Sequence, residues 1–381
     1  MIECGIFYKE LIKNNIDYFC GVPDSLLKNI CTCITDNAPE GRHIIASNEG
    51  AAAALAAGWF LGSGRPALVY MQNSGLGNAV NPFLSLADPD VYSIPMLLLI
   101  GWRGEPGVKD EPQHKRQGEL TLPLLETLGI PYSVIDGGCS NIEIIIEHAV
   151  KESLAGLKPY AIVVKKNTFA PYTREKQSEE PGTLLREKAV ILAAGLAEKD
   201  CAIVSTTGMI SRELYEYRET NGLSHDPDFL TVGSMGHSSQ IACGIAASNK
   251  DRKIYCFDGD GAVIMHMGSL AVNGTSSLSN FIHIVFNNAA HDSVGGQMTA
   301  AGKIDLCAIA GACRYKTVIS ASDERGIKEA FDTIRKKGGP AFLEIRVRKG
   351  ARGNLGRPAV PPQTQKNNFI KYLSDEKKEI L

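Results

Sequence analysis

Two short polar motifs in the second half of the chain could together hold a metal ion. Residues 259–261 read Gly-Asp-Gly, and after 25 further residues, positions 287–288 read Asn-Asn. The apolar segments IYCFD and FIHIVF lead into these motifs, as expected for buried strands. Ligands of a parallel sheet bind beyond the carboxyl ends of its strands. A carboxylate and an amide oxygen placed there would suit Mg²⁺, which also takes phosphate oxygens and water.

The residues after the first motif favour an anion beside that metal. Gly261 and Ala262 open a predicted helix, and the free N–H groups at the start of a helix favour a phosphate group. We therefore expect Mg²⁺ together with a diphosphate. GDG alone is a common turn and NN a common loop, so this prediction depends on the spacing and on the two strands.

The pattern resembles the fingerprint of thiamine diphosphate enzymes. The resemblance implies thiamine diphosphate as cofactor, with Asp260 and Asn288 binding the metal by side chain and Ala290 by its carbonyl. Residues 47–54 (SNEGAAAA) resemble the segment that carries the family's catalytic glutamate, here Glu49. A carboxylic acid hydrogen-bonded to the cofactor's aminopyrimidine ring would promote the tautomer that catalysis needs. A glutamate at a helix start can also simply complement the helix dipole, so its context decides the interpretation.

Further cofactor contacts are implied by the same resemblance. In residues 232–238 (VGSMGHS), the Gly233 carbonyl would accept the cofactor's amino group and Met235 would wedge between its two rings. Methionine is also a common core filler, but the flanking glycines favour the contact. Residues 205–208 (STTG) form a predicted strand–helix turn that can offer hydroxyl and N–H groups to the diphosphate. The predicted cofactor-binding residues are Glu49, Thr206, Thr207, Gly233, Met235, Gly259, Gly261 and Ala262.

Several more segments narrow the resemblance to phosphonopyruvate decarboxylases, from about Gly21 to Leu373. They are 21–27 (GVPDSLL), 101–107 (GWRGEPG), 110–114 (DEPQH), 291–297 (HDSVGGQ) and 354–358 (NLGRP). These enzymes convert phosphonopyruvate to phosphonoacetaldehyde and CO₂ in phosphonate biosynthesis. The alternatives are a sulfopyruvate decarboxylase, whose substrate has nearly the same shape and one charge fewer, a broader 2-oxo acid decarboxylase or carboligase, and a non-catalytic thiamine diphosphate-binding protein.

A substrate with two anionic ends calls for cations beside the strand ends. Arginine suits the forked geometry of phosphonate oxygens, and Arg103 directly follows a strand end. The predicted substrate-binding residues are Arg103, Ser25, Asn73 and Lys109, although a loop residue such as Lys109 is as often simply solvated. The predicted catalytic residues are Glu49, Asp24, His114 and His291. The last three are candidates for proton transfer, with the assignment among them open.

Alternating strand and helix patterns must position these residues. Apolar strand-like runs alternate with helical patterns through both halves, which predicts an α/β fold with two parallel sheets covered on both faces. The resemblance implies a pyrimidine-type and a diphosphate-type cofactor-binding domain, with no middle domain. We predict an N-terminal domain over 1–166, a linker over 167–182, a C-terminal domain over 183–350, and an arm with a helix over 351–381.

The composition excludes several other classes of protein. The 40 Lys and Arg residues against 42 Asp and Glu give a net charge of −2, so we expect no nucleic-acid partner. No apolar run reaches the roughly 18–20 residues that span a bilayer, so we expect no membrane partner. Ten cysteines without an export signal favour a reduced, cytoplasmic protein. The resemblance implies a homo-oligomer, at least a dimer, with active sites at the subunit interface.

Overall fold

The computed structural model describes residues 1–173 and 184–375. Contacts divide these residues into two units, one of 1–173 with 294–297 and one of 184–293 with 298–375. Residues 167–173 of the predicted linker group with the first unit. The rest of that linker, Thr183 and residues 376–381 lie outside the described residues. The predicted domain limits therefore remain predictions.

The first unit is built on six parallel strands in the order β2-β1-β3-β4-β6-β5. The strands are β1 (Phe19–Gly21), β2 (His43–Ile45), β3 (Leu68–Gln72), β4 (Met96–Gly101), β5 (Tyr132–Ile135) and β6 (Pro159–Val164). The α-helices are α1 (Cys4–Lys13), α2 (Lys28–Asn37), α3 (Glu49–Ser63), α4 (Leu76–Pro82), α5 (Pro112–Thr127) and α6 (Ile142–Gly156).

Helices cover both faces of this sheet. Every residue of the central strands β4 and β6 is buried, which explains their nearly uninterrupted apolar sequences. Alternate residues of β4 divide between two cores, with Leu97 and Leu99 in one and Leu98 and Ile100 in the other. The sheet is therefore a layer enclosed within the unit, and only its strand ends are available to a ligand.

The second unit repeats this plan with the strand order β11-β12-β10-β9-β7-β8, again all parallel. The strands are β7 (Ala202–Ser205), β8 (Asp228–Leu230), β9 (Ile254–Gly259), β10 (Phe281–Asn287), β11 (Thr317–Ala321) and β12 (Ala341–Arg346). The α-helices are α7 (Arg186–Leu196), α8 (Met209–Thr220), α9 (Ser238–Ser248), α10 (Asp260–Met265), α11 (Ser269–Thr275), α12 (Leu306–Ala312), α13 (Glu324–Lys337) and α14 (Pro362–Asp375).

The predicted α/β fold with two parallel sheets is confirmed, and some helices differ from their predicted limits. The residue pattern over 75–86 predicts a single helix, whereas the structure has a 3₁₀ turn (Asn73–Gly75), α4, and a π-helical turn (Phe83–Ala87). Pro82 has no N–H to donate to the preceding turn, and the regular hydrogen-bond ladder therefore ends there. The sequence pattern of the arm predicts a short last helix over 367–373, whereas α14 begins five residues earlier, at Pro362.

Two further findings bear on the setting of the protein. All ten cysteines are free thiols. Within the described residues, no helix combines the length and the hydropathy that a bilayer-spanning segment requires.

Candidate active site

In the N-terminal unit, predicted site residues follow the carboxyl ends of four adjacent strands. Asp24 comes after β1, Glu49 after β2, Asn73 after β3 and Arg103 after β4. These strands are neighbours in the order β2-β1-β3-β4, so their carboxyl ends share one edge of the sheet. The parallel arrangement alone thus brings together residues separated by up to 79 positions, from Asp24 to Arg103.

Glu49 is the first residue of α3 and is 95% buried, with 5% of its surface exposed. Asn48 caps the helix by accepting a hydrogen bond from Ala51 N at 2.9 Å. The carboxylate of Glu49 accepts a hydrogen bond from Asn78 Nδ2 at 2.7 Å and packs against the bare Cα of Gly75. A side chain at position 75 would collide with this carboxylate. Asn78 was missed in the sequence because it lies on α4, away from every quoted motif.

Asp24 is fully buried in an environment that disfavours its charged form. One carboxylate oxygen accepts a hydrogen bond from Leu26 N at 2.9 Å, and the other has no partner among the described residues. Burial raises the pKa of Asp24, and the Leu26 amide and the nearby Arg103 guanidinium offset only part of that effect. This carboxyl group therefore keeps its proton to a higher pH than an exposed aspartate, as suits an acid in proton transfer.

Arg103 and His114 are both held by Asp110, which the sequence analysis did not select. Asp110 accepts two hydrogen bonds from the Arg103 guanidinium, at 2.8 and 2.6 Å, and lies 2.9 Å from His114 Nδ1. Burial alone would raise the pKa of Asp110, but the hydrogen bonds from Arg103, His114 and Gly104 bring it well below its usual range. A charged Asp110 fixes His114 through Nδ1. The sequence signals were the place of Asp110 in the 110–114 segment and its i,i+4 spacing from His114.

The other predicted substrate residues differ in how they join this cluster. Ser25 Oγ accepts a hydrogen bond from Arg103 Nη1 at 2.7 Å. Asn73 is buried, and its side chain bonds the backbone of Arg103 at both N–H (3.2 Å) and carbonyl (2.8 Å). Lys109 is exposed on the loop between β4 and α5. Ser25, Asn73, Arg103 and His114 thus form one hydrogen-bonded group, which does not include Lys109.

In the C-terminal unit, ten of the predicted residues line one cavity of about 80 Å³. They are Thr206, Thr207, Met235, Gly259, Asp260, Gly261, Ala262, Asn288, Ala290 and His291. Gly233 lies outside that lining. The cavity opens at the carboxyl ends of β7, β9 and β10, which are neighbours in the sheet. Gly261 has no side chain, and the side chains of Met235 and His291 occupy the space beside its Cα.

Asp260 and Asn288 present oxygen atoms to this cavity. Asp260 is buried, and burial raises its pKa to about 6 although Thr299 donates a hydrogen bond to it. The Asn288 amide is fixed at both ends: its oxygen accepts from Ala290 N at 3.0 Å and its nitrogen donates to Asp292 Oδ2 at 2.6 Å. Asn287 shapes the turn: its oxygen accepts from Ala289 N at 2.9 Å, and its nitrogen donates to Glu344 at 2.8 Å.

These residues fit a divalent cation with a diphosphate. The donors available are a carboxylate, an amide oxygen and the Ala290 carbonyl, a set of oxygen ligands that Mg²⁺ prefers. The buried carboxylate of Asp260 is short of compensating charge, which a cation would supply. The Thr206 hydroxyl is buried in the same lining with no partner among the described residues, and a phosphate oxygen would satisfy it.

A buried ion-pair network beside this cavity was missed in the sequence. Arg186 donates to both oxygens of Glu213 at 3.1 Å and to Asp292 at 2.8 Å. Since Asp292 also accepts from Asn288, the network sets which end of the Asn288 amide faces the cavity. Its members are up to 106 positions apart in the chain, so no local pattern could have shown it.

His283 forms part of a buried polar cluster that its sequence spacing did not indicate. The ligand atoms of Cys256, Asp258 and His283 lie within 4.8 Å of one another, on the adjacent strands β9 and β10. His283 Nε2 is 3.2 Å from Asp258 Oδ2, and the other Asp258 oxygen accepts from Gly259 N at 3.0 Å. The cluster therefore supports the turn that carries Asp260.

The burial of Asp24 makes a pH-dependent contribution to stability. Because its pKa is raised in the folded protein, the stability contributed by protonated Asp24 is complete below the unfolded-state pKa of about 3.9 and is lost as the pH rises through the folded-state value. Asp24→Asn should therefore raise the free energy of unfolding, relative to the unsubstituted protein, more at pH 8 than at pH 4. Urea unfolding at the two pH values measures this difference. Exposed Asp90→Asn is the control, and an equal effect of Asp24→Asn at both pH values would contradict the assignment.

Comparison with known proteins places both units in one family. Residues 5–123 match the model of the thiamine pyrophosphate enzyme N-terminal TPP binding domain, and residues 204–345 match that of the C-terminal TPP binding domain.

Full-length relatives agree with these matches. Phosphonopyruvate decarboxylases from Streptomyces viridochromogenes and Streptomyces hygroscopicus are 34% and 33% identical, over 93% and 98% of this chain and 90% and 95% of theirs. A sulfopyruvate decarboxylase from Methanosarcina acetivorans is 26% identical over 97% of each chain. With both cofactor-binding domains matched and decarboxylases aligned along nearly its whole length, this chain belongs to the thiamine pyrophosphate-dependent decarboxylases of the thiamine pyrophosphate enzyme family.

Proposed function

We propose that this enzyme decarboxylates 3-phosphonopyruvate to phosphonoacetaldehyde and CO₂ in phosphonate biosynthesis, using thiamine diphosphate and Mg²⁺. The observation that carries the proposal is the convergence of Asp260, Asn288 and Ala290 on one cavity. The choice of substrate is supported by 33–34% identity to phosphonopyruvate decarboxylases, against 26% to a sulfopyruvate decarboxylase.

The C-terminal unit would hold the charged end of the cofactor. Asp260, Asn288 and the Ala290 carbonyl would bind Mg²⁺ through oxygen. When bound, thiamine diphosphate supplies both the nucleophilic carbon that adds to the keto group and the electron sink for the loss of CO₂. The residues proposed to hold its diphosphate and rings are Thr206, Thr207, Gly233, Met235, Gly259, Gly261 and Ala262.

The N-terminal unit would supply groups that transfer protons during the reaction. Glu49 would hydrogen-bond the aminopyrimidine ring, and its burial strengthens that bond because no water competes for it. Asp24 and His114 are candidates to deliver the proton that replaces the lost carboxylate. Asp110 holds His114 through Nδ1, which directs Nε2 away from the pair for proton exchange. His291, which belongs to the C-terminal unit, is a further candidate for proton transfer. Burial lowers the pKa of His291 to about 4, so it is neutral near pH 7.

The proposed substrate contacts in this unit are Arg103, Ser25, Asn73 and Lys109. Asn73 fixes the backbone of Arg103, and Ser25 bonds its guanidinium. Asp110 offsets much of the charge of Arg103, so Arg103 can direct N–H groups toward an anion but contributes little net positive charge.

The substrate is tested by steady-state kinetics with phosphonopyruvate and sulfopyruvate. A site built for two negative charges should show at least a tenfold higher kcat/KM for phosphonopyruvate, since one charge-assisted hydrogen bond contributes about 1.5–3 kcal/mol. A preference for sulfopyruvate would overturn the choice of substrate. Cofactor binding without release of CO₂ from either acid would instead favour a non-catalytic protein.

Glu49→Gln tests the proposed role in cofactor activation. Glutamine keeps the size and the contact with Asn78 but cannot exchange a proton with the pyrimidine, so kcat should fall by at least about 100-fold. The affinity for thiamine diphosphate, measured by fluorescence titration, should change far less. Exposed Glu147→Gln is the matched control and should keep full turnover. Full activity of Glu49→Gln would remove Glu49 from the mechanism.

We further propose a homo-oligomer, at least a dimer, with active sites at the subunit interface. Large apolar side chains remain exposed on the N-terminal unit, including Leu61 at 71% and Tyr92 at 68%, and a subunit interface would cover such surface. Sedimentation should give at least twice the chain mass of 41.0 kDa. A monomer that is fully active at assay concentration would contradict this.

A cytoplasmic location is also proposed. Ten free thiols are suited to a reducing compartment, where disulfides rarely persist. Immunoblotting of fractionated cells tests the location, and recovery from a secreted or membrane fraction would overturn it.

A further inference from the structure

We propose that a second cavity of the C-terminal unit binds the doubly anionic phosphonate group of the substrate, with Arg212 as its cation. This inference depends on the proposed function. The cavity has a volume of about 240 Å³ and is lined by Met209, Arg212, Asp292 and the segment 350–353. Met209 and Asp292 also line the cavity that contains the predicted metal ligands, so the two spaces adjoin.

The guanidinium of Arg212 carries a charge that no described carboxylate pairs with. Arg212 lies on α8, is partly buried, and forms no ion pair with any carboxylate in the described parts of the chain. Burial lowers the pKa of Arg212. A partly desolvated charge is costly unless something compensates it, and an anionic ligand in the adjoining cavity would do so.

The other charged residues that line this cavity already have ion-pair partners. Asp292 accepts hydrogen bonds from Arg186 at 2.8 Å and from Gly350 N at 3.0 Å. Arg352 pairs with Glu187 at 2.9 Å and also with Glu216. Arg212 is therefore the charged residue of this lining that has no ion-pair partner among the described residues, and a guanidinium without a partner favours an anion.

Arg212 is better suited than Arg103 to supply this charge. The guanidinium of Arg103 forms a bidentate pair with Asp110, whereas Arg212 lines a cavity and has no ion-pair partner among the described residues. A phosphonate with two negative charges gains more from an unpaired guanidinium than a sulfonate with one charge does. Arg212 would thus contribute to discrimination between the two substrates as well as to affinity.

The test is Arg212→Gln, with Arg212→Lys to restore charge and Arg325→Gln as a control. Arg325 is 87% exposed on α13. We expect the KM for phosphonopyruvate to rise about 10–100-fold in Arg212→Gln, with kcat changed less than about threefold. The KM for sulfopyruvate should rise less, Arg212→Lys should recover part of the loss, and Arg325→Gln should match the unsubstituted enzyme. The Kd for thiamine diphosphate with Mg²⁺, from fluorescence titration, should stay within about twofold.

Two results would overturn the inference. An unchanged KM in Arg212→Gln would show that Arg212 does not bind substrate. A fall in cofactor affinity without a change in substrate preference would assign Arg212 to the diphosphate instead.

A binding experiment separates this inference from the proposed function. Calorimetric titration with 3-phosphonopropionate, which carries the phosphonate and carboxylate but no keto group, uses the enzyme loaded with thiamine diphosphate and Mg²⁺. If the unsubstituted enzyme binds this compound and Arg212→Gln does not, the result supports phosphonate binding in this cavity, even if phosphonopyruvate is not turned over. If the unsubstituted enzyme does not bind this compound, the proposed phosphonate site is overturned, whichever 2-oxo acid is decarboxylated.

Discussion

Parallel pairing of β9 with β7 and β10 is the constraint on which the candidate cofactor site depends. Phe286 lies opposite Gly259, and Ser205 lies opposite Phe257, so three strands end within a few residues of one another. Asp260, Asn288 and Thr206 each follow one of these ends. Both faces of the sheet are buried, so the strands cannot slide without exposing apolar side chains to water. The hydrophobic cores therefore fix the positions of the polar groups.

The same constraint acts in the N-terminal unit with different side chains. Its strand ends carry ionisable residues, among them Asp24 and Glu49, where the C-terminal unit carries the candidate ligands for a cation and an anion. Glycines at close approaches make room for the carboxylates: Gly75 faces Glu49, and Gly101 faces Asp24. One fold plan thus serves two chemical tasks because the residues after the strands differ while the packing beneath them is of one kind.

Buried charges around both sites come in hydrogen-bonded groups. Asp110 joins Arg103 to His114, and Asp292 joins Arg186 to Asn288. Each aspartate compensates an arginine and also orients a second side chain that is a candidate for catalysis or metal binding. A buried group of this kind is costly to disturb, because removing one member leaves another charge unpaired. The orientation of His114 and Asn288 is therefore set before any ligand arrives.

The sequence alone predicted the strand–helix alternation and the two parallel sheets, and it selected Glu49 and the candidate metal ligands Asp260, Asn288 and Ala290. These depend on local signals: apolar runs of strand length, polar residues directly after them, and motifs with a fixed spacing. The tertiary structure was needed to show the contacts of Asp110, Asn78, Arg186 and Asp292 and the separation of Lys109 from its predicted group. It was also needed to show that Arg212 has no ion-pair partner among the described residues. Each of these depends on which residues from distant segments meet at a sheet edge, and a side chain's charge balance exists only once its neighbours are in place.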